Sequence, residues 1–268
     1  MVVHGEAPVA NWETVVSRER REVRLDARAV LRDSALVVTR SITLADNSTV
    51  VRFETGVEET GRGSGLRPLG WQEHVTLGPP FIERGRTIFD MSAKWSKVMP
   101  GEFERVHRLQ AGGEFEWPFA PARGGGAVNL RTYPPEAACG DFSTHLNEGT
   151  TAWFTALNPE LRLAIGYIWD PNDFPWLGMW TENRIREVPP WNSRTMALGM
   201  EFGLSPWPRP MPEELHGIAT VGSIPSGGIR SAVFHAFLAP IPFFCEGVRS
   251  VRIEDKEAAL DLILPRTA

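Results

Sequence analysis

One hairpin with alternating side chains constrains the fold of this chain more than any other feature. From Leu36 to Leu44, every second residue belongs to one apolar-rich set, and after Asp46-Asn47 the alternation resumes from Val50 to Glu59. A period of two is typical of a β-strand with one face on a core, and Asp-Asn is a turn dipeptide. The sequence therefore predicts a β-hairpin here.

Short β-branched or aromatic runs continue the pattern along the chain, separated by Gly, Pro and Asn turn signals. The predicted strands are Ala127–Thr132, Thr151–Leu157, Leu161–Trp169, Thr195–Phe202, Gly217–Ile224 and Ile229–Ala239. Helical periodicity is nearly absent, and only Glu213–Leu215 and Lys256–Leu260 could each form one helical turn. We expect an all-β sandwich built as a single domain over residues 1–268.

Composition narrows the classes of function. The chain has 268 residues, of which 42% are hydrophobic, so it can bury a sizeable core. Its net charge is −5 and it has no block of basic residues, so nucleic acid is not an expected partner. The apolar run from Ala232 to Phe244 is interrupted by His235 and two prolines, so no membrane partner is expected.

The cysteines and histidines indicate neither a disulfide scaffold nor a metal centre. Cys139 and Cys245 are the only cysteines and are predicted to be reduced, buried thiols, which favours a cytoplasmic location. The six histidines show no spacing typical of metal ligands. We therefore expect no metal and no cofactor.

Two residues stand out as candidates for acid–base chemistry. His74 is predicted to lie at the end of a strand, just before the Gly78-Pro79-Pro80 turn, where a histidine can reach into a cleft or simply support a loop. Glu201 lies within the apolar run Leu198–Phe202, and a carboxylate there must be paired with another group or have a functional role.

Several motifs occur in an order that resembles the galactose mutarotase, or aldose 1-epimerase, superfamily. They are His4-Gly5-Glu6 with Trp12 following, Glu73-His74 leading to Pro80-Phe81, Trp180-Thr181-Glu182-Asn183, and Leu198-Gly199-Met200-Glu201. The resemblance implies an antiparallel β-supersandwich that binds a hexose in an open cleft. It also implies a histidine as general acid and a glutamate as general base.

Matched motif by motif, the resemblance assigns His74 as the acid and Glu201 as the base, with His4 as a second histidine that contacts the sugar. The family's cleft aspartate has no clear match in this sequence, and Asp170 is a candidate for it by position alone. Trp169 and Trp180 would form an apolar wall against the sugar ring, although a core role is open for each tryptophan.

The resemblance implies an isomerase that interconverts the anomers of an aldose or sugar derivative by acid–base ring opening. The alternative is a non-catalytic carbohydrate-binding protein on the same fold. A phosphorylated substrate is a further case, for which Arg184 and Arg186 are candidate ligands, although both could equally belong to a solvated strand edge. A hydrolase or lyase would need a second carboxylate opposite Glu201, and the sequence identifies none.

One departure from the family concerns the start of the chain. In the family the His-Gly motif follows several strands and a sugar-binding arginine, whereas here it begins at His4. We therefore expect a sandwich shortened at its N-terminus, with an exposed sheet edge or apolar flank. A second copy of the chain is expected to cover that flank in a homodimer.

Overall fold

The computed structural model describes residues 4–101, 107–136, 138–209, 211 and 214–265. The regular secondary structure of these residues is β, apart from a short 3₁₀ turn at Ala7–Val9. The strands are β1 (Trp12–Glu19), β2 (Glu22–Leu31), β3 (Leu36–Ala45), β4 (Val50–Glu59), β5 (Leu66–Leu69), β6 (Gln72–Leu77), β7 (Ile88–Met91), β8 (Trp95–Val98), β9 (Glu114–Glu116), β10 (Phe119–Pro121), β11 (Ala127–Asn129), β12 (Cys139–Leu146), β13 (Ala152–Asn158), β14 (Leu163–Trp169), β15 (Trp176–Asn183), β16 (Met196–Gly203), β17 (Glu214–Leu215), β18 (Ile218–Ala219), β19 (Gly222–Pro225), β20 (Ile229–Pro240), β21 (Gly247–Glu254) and β22 (Glu257–Ile263).

Two antiparallel sheets make up the sandwich. The larger sheet has eight strands in the order β1-β2-β3-β4-β20-β14-β13-β7, and the smaller has six in the order β6-β16-β15-β12-β8-β9. The main core lies between them, where Trp169 stacks on Phe202 at a ring distance of 4.4 Å and Phe234 contacts Phe202 at 5.1 Å. The prediction of an all-β antiparallel sandwich is confirmed.

The predicted hairpin is β3–β4, and its register explains its alternating sequence. Ile42 pairs with Phe53 and Val38 with Val57, so these apolar residues share the face that meets the smaller sheet. Ser41 pairs with Glu54 on the opposite, solvent face. The period of two thus separates core from solvent, as the sequence indicates.

The same alternation in β16 positions the candidate site. Leu198, Met200 and Phe202 are buried in the core between the sheets. The residues between them, Gly199 and Glu201, therefore point to the outer face of the smaller sheet.

The first strands of the larger sheet extend beyond the cover of the smaller one. Val16, Leu25 and Ile42 lie in one row across β1, β2 and β3, on the face that is buried further along the sheet. Val16 is 66% exposed, and Val23 and Leu44 in the next row are 37% and 41% exposed. Apolar side chains thus face solvent at this end of the larger sheet, and the homodimer that would cover them stays a prediction.

The structure corrects the two predictions of a helical turn. Lys256–Leu260 is not a helical turn, because β22 begins at Glu257 and pairs with β21 along its length. Glu214 and Leu215 form the short strand β17, while Glu213 lies outside the described residues. The β21–β22 hairpin packs through Val248 and Val251 on the outer face of the larger sheet. Apolar residues at every second position of β22 suit this packing, and a helix would have scattered them.

Both cysteines are free and buried. Among the described residues there is no helix long and apolar enough to cross a membrane.

Candidate active site

His74 and Glu201 lie directly opposite each other on the neighbouring strands β6 and β16. The His74 Nε2 atom is 3.2 Å from Glu201 Oε1. His74 occupies the third position of β6 rather than the end of a strand, which corrects the predicted position. The central position allows the β ladder itself to set the spacing of imidazole and carboxylate.

Glu201 is held almost out of contact with water. Its side chain is 6% exposed, and this burial raises the pKa of its carboxyl to about 7. Gly199 makes room for the carboxylate, because a Cβ at that position would lie 2.8 Å from Glu201 Oε1 and 3.1 Å from the Trp180 ring. Gly199 and Glu201 are two positions apart on β16, so the glycine lies beside the buried carboxylate on the same face of the sheet.

The His74 imidazole has a defined neighbour at each nitrogen. Its Nδ1 atom is 3.1 Å from the Thr76 hydroxyl, while Nε2 faces Glu201. The side chain is 31% exposed, so it is accessible from the outer face. Partial burial, with a smaller contribution from the charge of His4, lowers the pKa of His74 below its usual value of 6.5.

Two further predicted residues border the pair. The His4 ring meets the His74 ring edge-on at a centroid distance of 5.0 Å, and the Trp180 ring lies 6.3 Å from His74. The structure thus brings His4, His74, Trp180 and Glu201 together on one face, although they come from three distant parts of the sequence.

Arg186 packs against the Trp180 ring. Its guanidinium is stacked 5.0 Å from the Trp180 ring and 4.9 Å from the Trp191 ring. It also pairs with the buried Glu182 carboxylate at 3.6 Å. Arg186 therefore stabilises the position of Trp180, while Arg184 is solvent-exposed.

The structure does not bring Trp169 and Asp170 to the His74–Glu201 pair. Trp169 is 3% exposed, and its indole nitrogen donates a hydrogen bond to the Phe174 carbonyl at 2.8 Å. Asp170 caps a turn by accepting a hydrogen bond from the Asn172 backbone N–H at 2.8 Å. These contacts are those of a core residue and a turn residue, and a sugar contact for either one stays a prediction.

Sequence reasoning missed Thr76 and Gly199, which shape the site. A signal was present in each case, because each residue lies two positions from a candidate residue on the same strand and so shares its face. In the described part of the chain, no group of three or more His, Cys, Asp or Glu side chains could hold a metal ion.

Comparison with known proteins identifies the fold. No family profile matches the sequence, and no curated protein matches it. A galactose mutarotase-like protein from Clostridium acetobutylicum superposes with a TM-score of 0.60 at 13% identity, over 89% of this chain and 69% of that one. A protein from Escherichia coli K12, provisionally assigned as an aldose 1-epimerase, gives a TM-score of 0.58 at 13% identity, over 89% and 72%.

A provisionally assigned aldose 1-epimerase from Klebsiella pneumoniae gives a TM-score of 0.59 at 11% identity, and this chain spans 56% of its length. The likeness extends over 88% of the present chain. The chain thus has the galactose mutarotase-like fold, as the sequence motifs indicate.

Proposed function

We propose that the protein is an isomerase that interconverts the anomers of a free aldose or sugar derivative. The observation that carries the proposal is the pairing of a half-buried imidazole with a buried carboxylate on the outer face of the sheet, with the Trp180 ring beside them. The mutarotase-like fold supports the same proposal. The proposal includes a role in carbohydrate metabolism and a cytoplasmic location.

The reaction needs two proton transfers at neighbouring atoms of the sugar. Glu201 takes the proton of the anomeric hydroxyl while His74 donates a proton to the ring oxygen. The bond from the anomeric carbon to the ring oxygen then breaks, and the anomeric carbon–oxygen bond becomes the carbonyl of an aldehyde. Rotation about the adjacent carbon–carbon bond and return of both protons close the ring on its other face.

The geometry suits this chemistry because both sugar oxygens are bonded to one carbon, so acid and base must act close together. A separation of 3.2 Å between His74 Nε2 and Glu201 Oε1 meets that requirement. A carboxyl whose pKa is near 7 is also a stronger base, once ionised, than one with the usual value of 4.5. The reaction as proposed starts with one proton on the pair, carried by His74, while Glu201 is ionised.

Polarimetry tests the proposal directly. Freshly dissolved α-glucose, α-galactose and a panel of other aldoses are followed with and without protein, because mutarotation also proceeds in buffer alone. We expect the protein to accelerate at least one sugar well above the blank. Glu58→Gln, which changes an exposed carboxylate on the larger sheet, serves as the matched control for Glu201→Gln.

The outcomes separate the enzyme from the binding protein. Turnover that is lost in Glu201→Gln, with sugar affinity kept within a few-fold, supports the isomerase. Sugar binding without turnover in the unmodified protein would instead assign a carbohydrate-binding role to the same face. If the protein neither binds nor turns over any sugar of the panel, both the isomerase and the carbohydrate-binding role are contradicted.

A further inference from the structure

The segment that carries His4 is fastened to the larger sheet by a carboxylate. Glu6 accepts hydrogen bonds from the Ser34 backbone N–H at 3.0 Å, from the Ser34 hydroxyl at 3.0 Å and from the Asp33 backbone N–H at 3.3 Å. Asp33 and Ser34 belong to the turn that joins β2 to β3. Glu6 therefore fixes the backbone two residues after His4.

A second fastening follows a few residues later. The Trp12 indole nitrogen donates a hydrogen bond to the Ala7 carbonyl at 3.0 Å, and Trp12 itself is the first residue of β1, paired with Ala29. Ala7 and Ala10 pack against the main core. Residues 4–12, which we call the N-terminal strap, thus connect the larger sheet to the site on the smaller one.

Between its fastening and the site, the strap turns sharply. Gly5 has a φ of +76° and His4 a φ of +68°, so two successive residues adopt the left-handed conformation. A non-glycine residue rarely adopts this conformation unless its surroundings hold it there. His4 is solvent-exposed, so packing alone does not hold its ring beside His74.

We propose that Glu6 is a positioning residue, which places the His4 imidazole against the His74 imidazole through its hydrogen bonds to the β2–β3 turn. The effect on turnover rests on the proposed function. The effect on His74 itself does not, because it depends only on the contact between the two rings.

The chemistry of the contact explains what positioning achieves. The titratable groups that face His74 among the described residues are Glu201 from β16 and His4 from the strap, while β15 contributes the uncharged Trp180. A charged His4 at 5.0 Å disfavours a second charge on His74. Loss of the fastening would let His4 move into solvent, and His74 would then protonate more readily.

The experiment follows the His74 imidazole by NMR during a pH titration of the full chain, with the resonance assigned by its loss in His74→Ala. Glu6→Ala is expected to raise the midpoint of His74 by the same amount as His4→Ala. The double variant is expected to raise it no further. Glu6→Gln keeps an acceptor oxygen and is expected to restore most of the original midpoint.

Glu13→Ala removes an exposed carboxylate from the neighbouring strand β1 and is the matched control, for which no shift is expected. A His74 midpoint that moves in His4→Ala but not in Glu6→Ala would overturn the positioning role. An unchanged midpoint in both variants would show that the ring contact has no consequence, and would overturn it as well. Chemical denaturation of each variant confirms that the comparison is made on folded protein.

Kinetics add a second readout if the protein turns over an aldose. The acidic limb of the pH profile of kcat/KM is then expected to shift in Glu6→Ala in the direction of the NMR midpoint. Absence of turnover with every sugar would contradict the proposed function alone, because the NMR titration still decides the role of Glu6.

Discussion

The smaller sheet carries a histidine on each face, and the two are held in opposite ways. On the core side, His145 is fully buried, with its Nδ1 atom 2.7 Å from the Ser96 hydroxyl and its Nε2 atom 3.0 Å from the Ser143 hydroxyl. On the outer side, His74 is 31% exposed and its Nε2 atom faces a carboxylate.

The partners decide what each imidazole can do. A hydroxyl can donate or accept, so two hydroxyls satisfy a neutral imidazole without a charge. Burial lowers the pKa of His145 to about 3, so this imidazole stays neutral over the ordinary pH range. His74 instead shares its environment with a group that can take its proton. A buried histidine with two hydroxyl partners is thus structural, and a reachable one with a carboxylate partner is suited to proton transfer.

The largest effect is expected from Glu201→Gln, which keeps the shape of the side chain and removes its basicity. If the outer face is catalytic, kcat for mutarotation falls by roughly 10²–10⁴-fold, the usual contribution of a general base. Polarimetry on fresh α-anomers measures the change. Equal loss of turnover per folded molecule in a His145→Asn variant would remove the contrast between the two faces.

The next effect concerns stability. His145→Ala leaves a cavity and two buried hydroxyls without their partner, so we expect the free energy of unfolding to fall by about 2–4 kcal/mol. His74→Ala, at a half-exposed position, is the matched variant and is expected to cost less than about 1 kcal/mol. Urea denaturation at pH 7.5 compares them. A greater loss in His74→Ala would reverse the structural assignment.

The two faces also predict opposite dependences of stability on pH. The unfolded chain protonates His145 below about 6.5, whereas the folded chain resists until about 3, so stability falls as the pH drops below 6.5. At pH 5 this costs on the order of 2 kcal/mol. Urea midpoints of the unmodified protein and His145→Asn should converge as the pH is lowered, and parallel curves would contradict the assignment.

Glu201 contributes in the other direction. Below about pH 4.5 the Glu201 carboxyl is protonated in both the folded and the unfolded chain, so its full contribution to the stability of the folded state is present. Between 4.5 and about 7 the unfolded chain loses the proton while the folded chain keeps it, so stability falls as the pH rises. Glu201→Gln should be free of this fall, and urea midpoints from pH 4 to 8 would show it.

The smallest effect is expected from Thr76→Val, which removes the hydroxyl next to His74 Nδ1 and keeps the volume. Loss of one partly exposed hydrogen bond is worth about 0.5–1.5 kcal/mol, or roughly a two- to tenfold decrease in kcat/KM. Thr43→Val, on the solvent face of β3, is the control. A decrease as large as that of Glu201→Gln would place Thr76 among the reacting groups.

Alternation of polar and apolar residues predicted the β3–β4 hairpin, and a β-branched and aromatic run predicted β20. Strand β2 was not predicted, although Val23 and Leu25 alternate there with Arg24 and Asp26. Strand β12 was missed, because Cys139–Leu146 is buried at every position and so shows no alternation. One of its buried polar residues, Asp141, accepts a hydrogen bond from the Arg108 backbone N–H at 2.8 Å. Such pairings link distant residues, and local periodicity does not contain them.

The candidate site likewise combines residues that local sequence patterns indicate with a contact between distant residues that such patterns do not contain. Glu201 was selected because burying a carboxylate in an apolar strand is costly unless the group is paired or functional. His74 was selected because of the family motif. Their 3.2 Å contact depends on the β6–β16 register, which joins residues far apart in the sequence. Trp169 was selected by residue type, but its strand position directs it into the core.

The uncovered end of the larger sheet has a consequence for how stability is measured. If a second copy covers Val16, Val23 and Leu44, folding and association become one equilibrium, and added protein favours the folded side by mass action. The melting temperature would then rise with protein concentration over the micromolar range. A melting temperature independent of concentration would instead describe a monomer that carries its apolar flank in water.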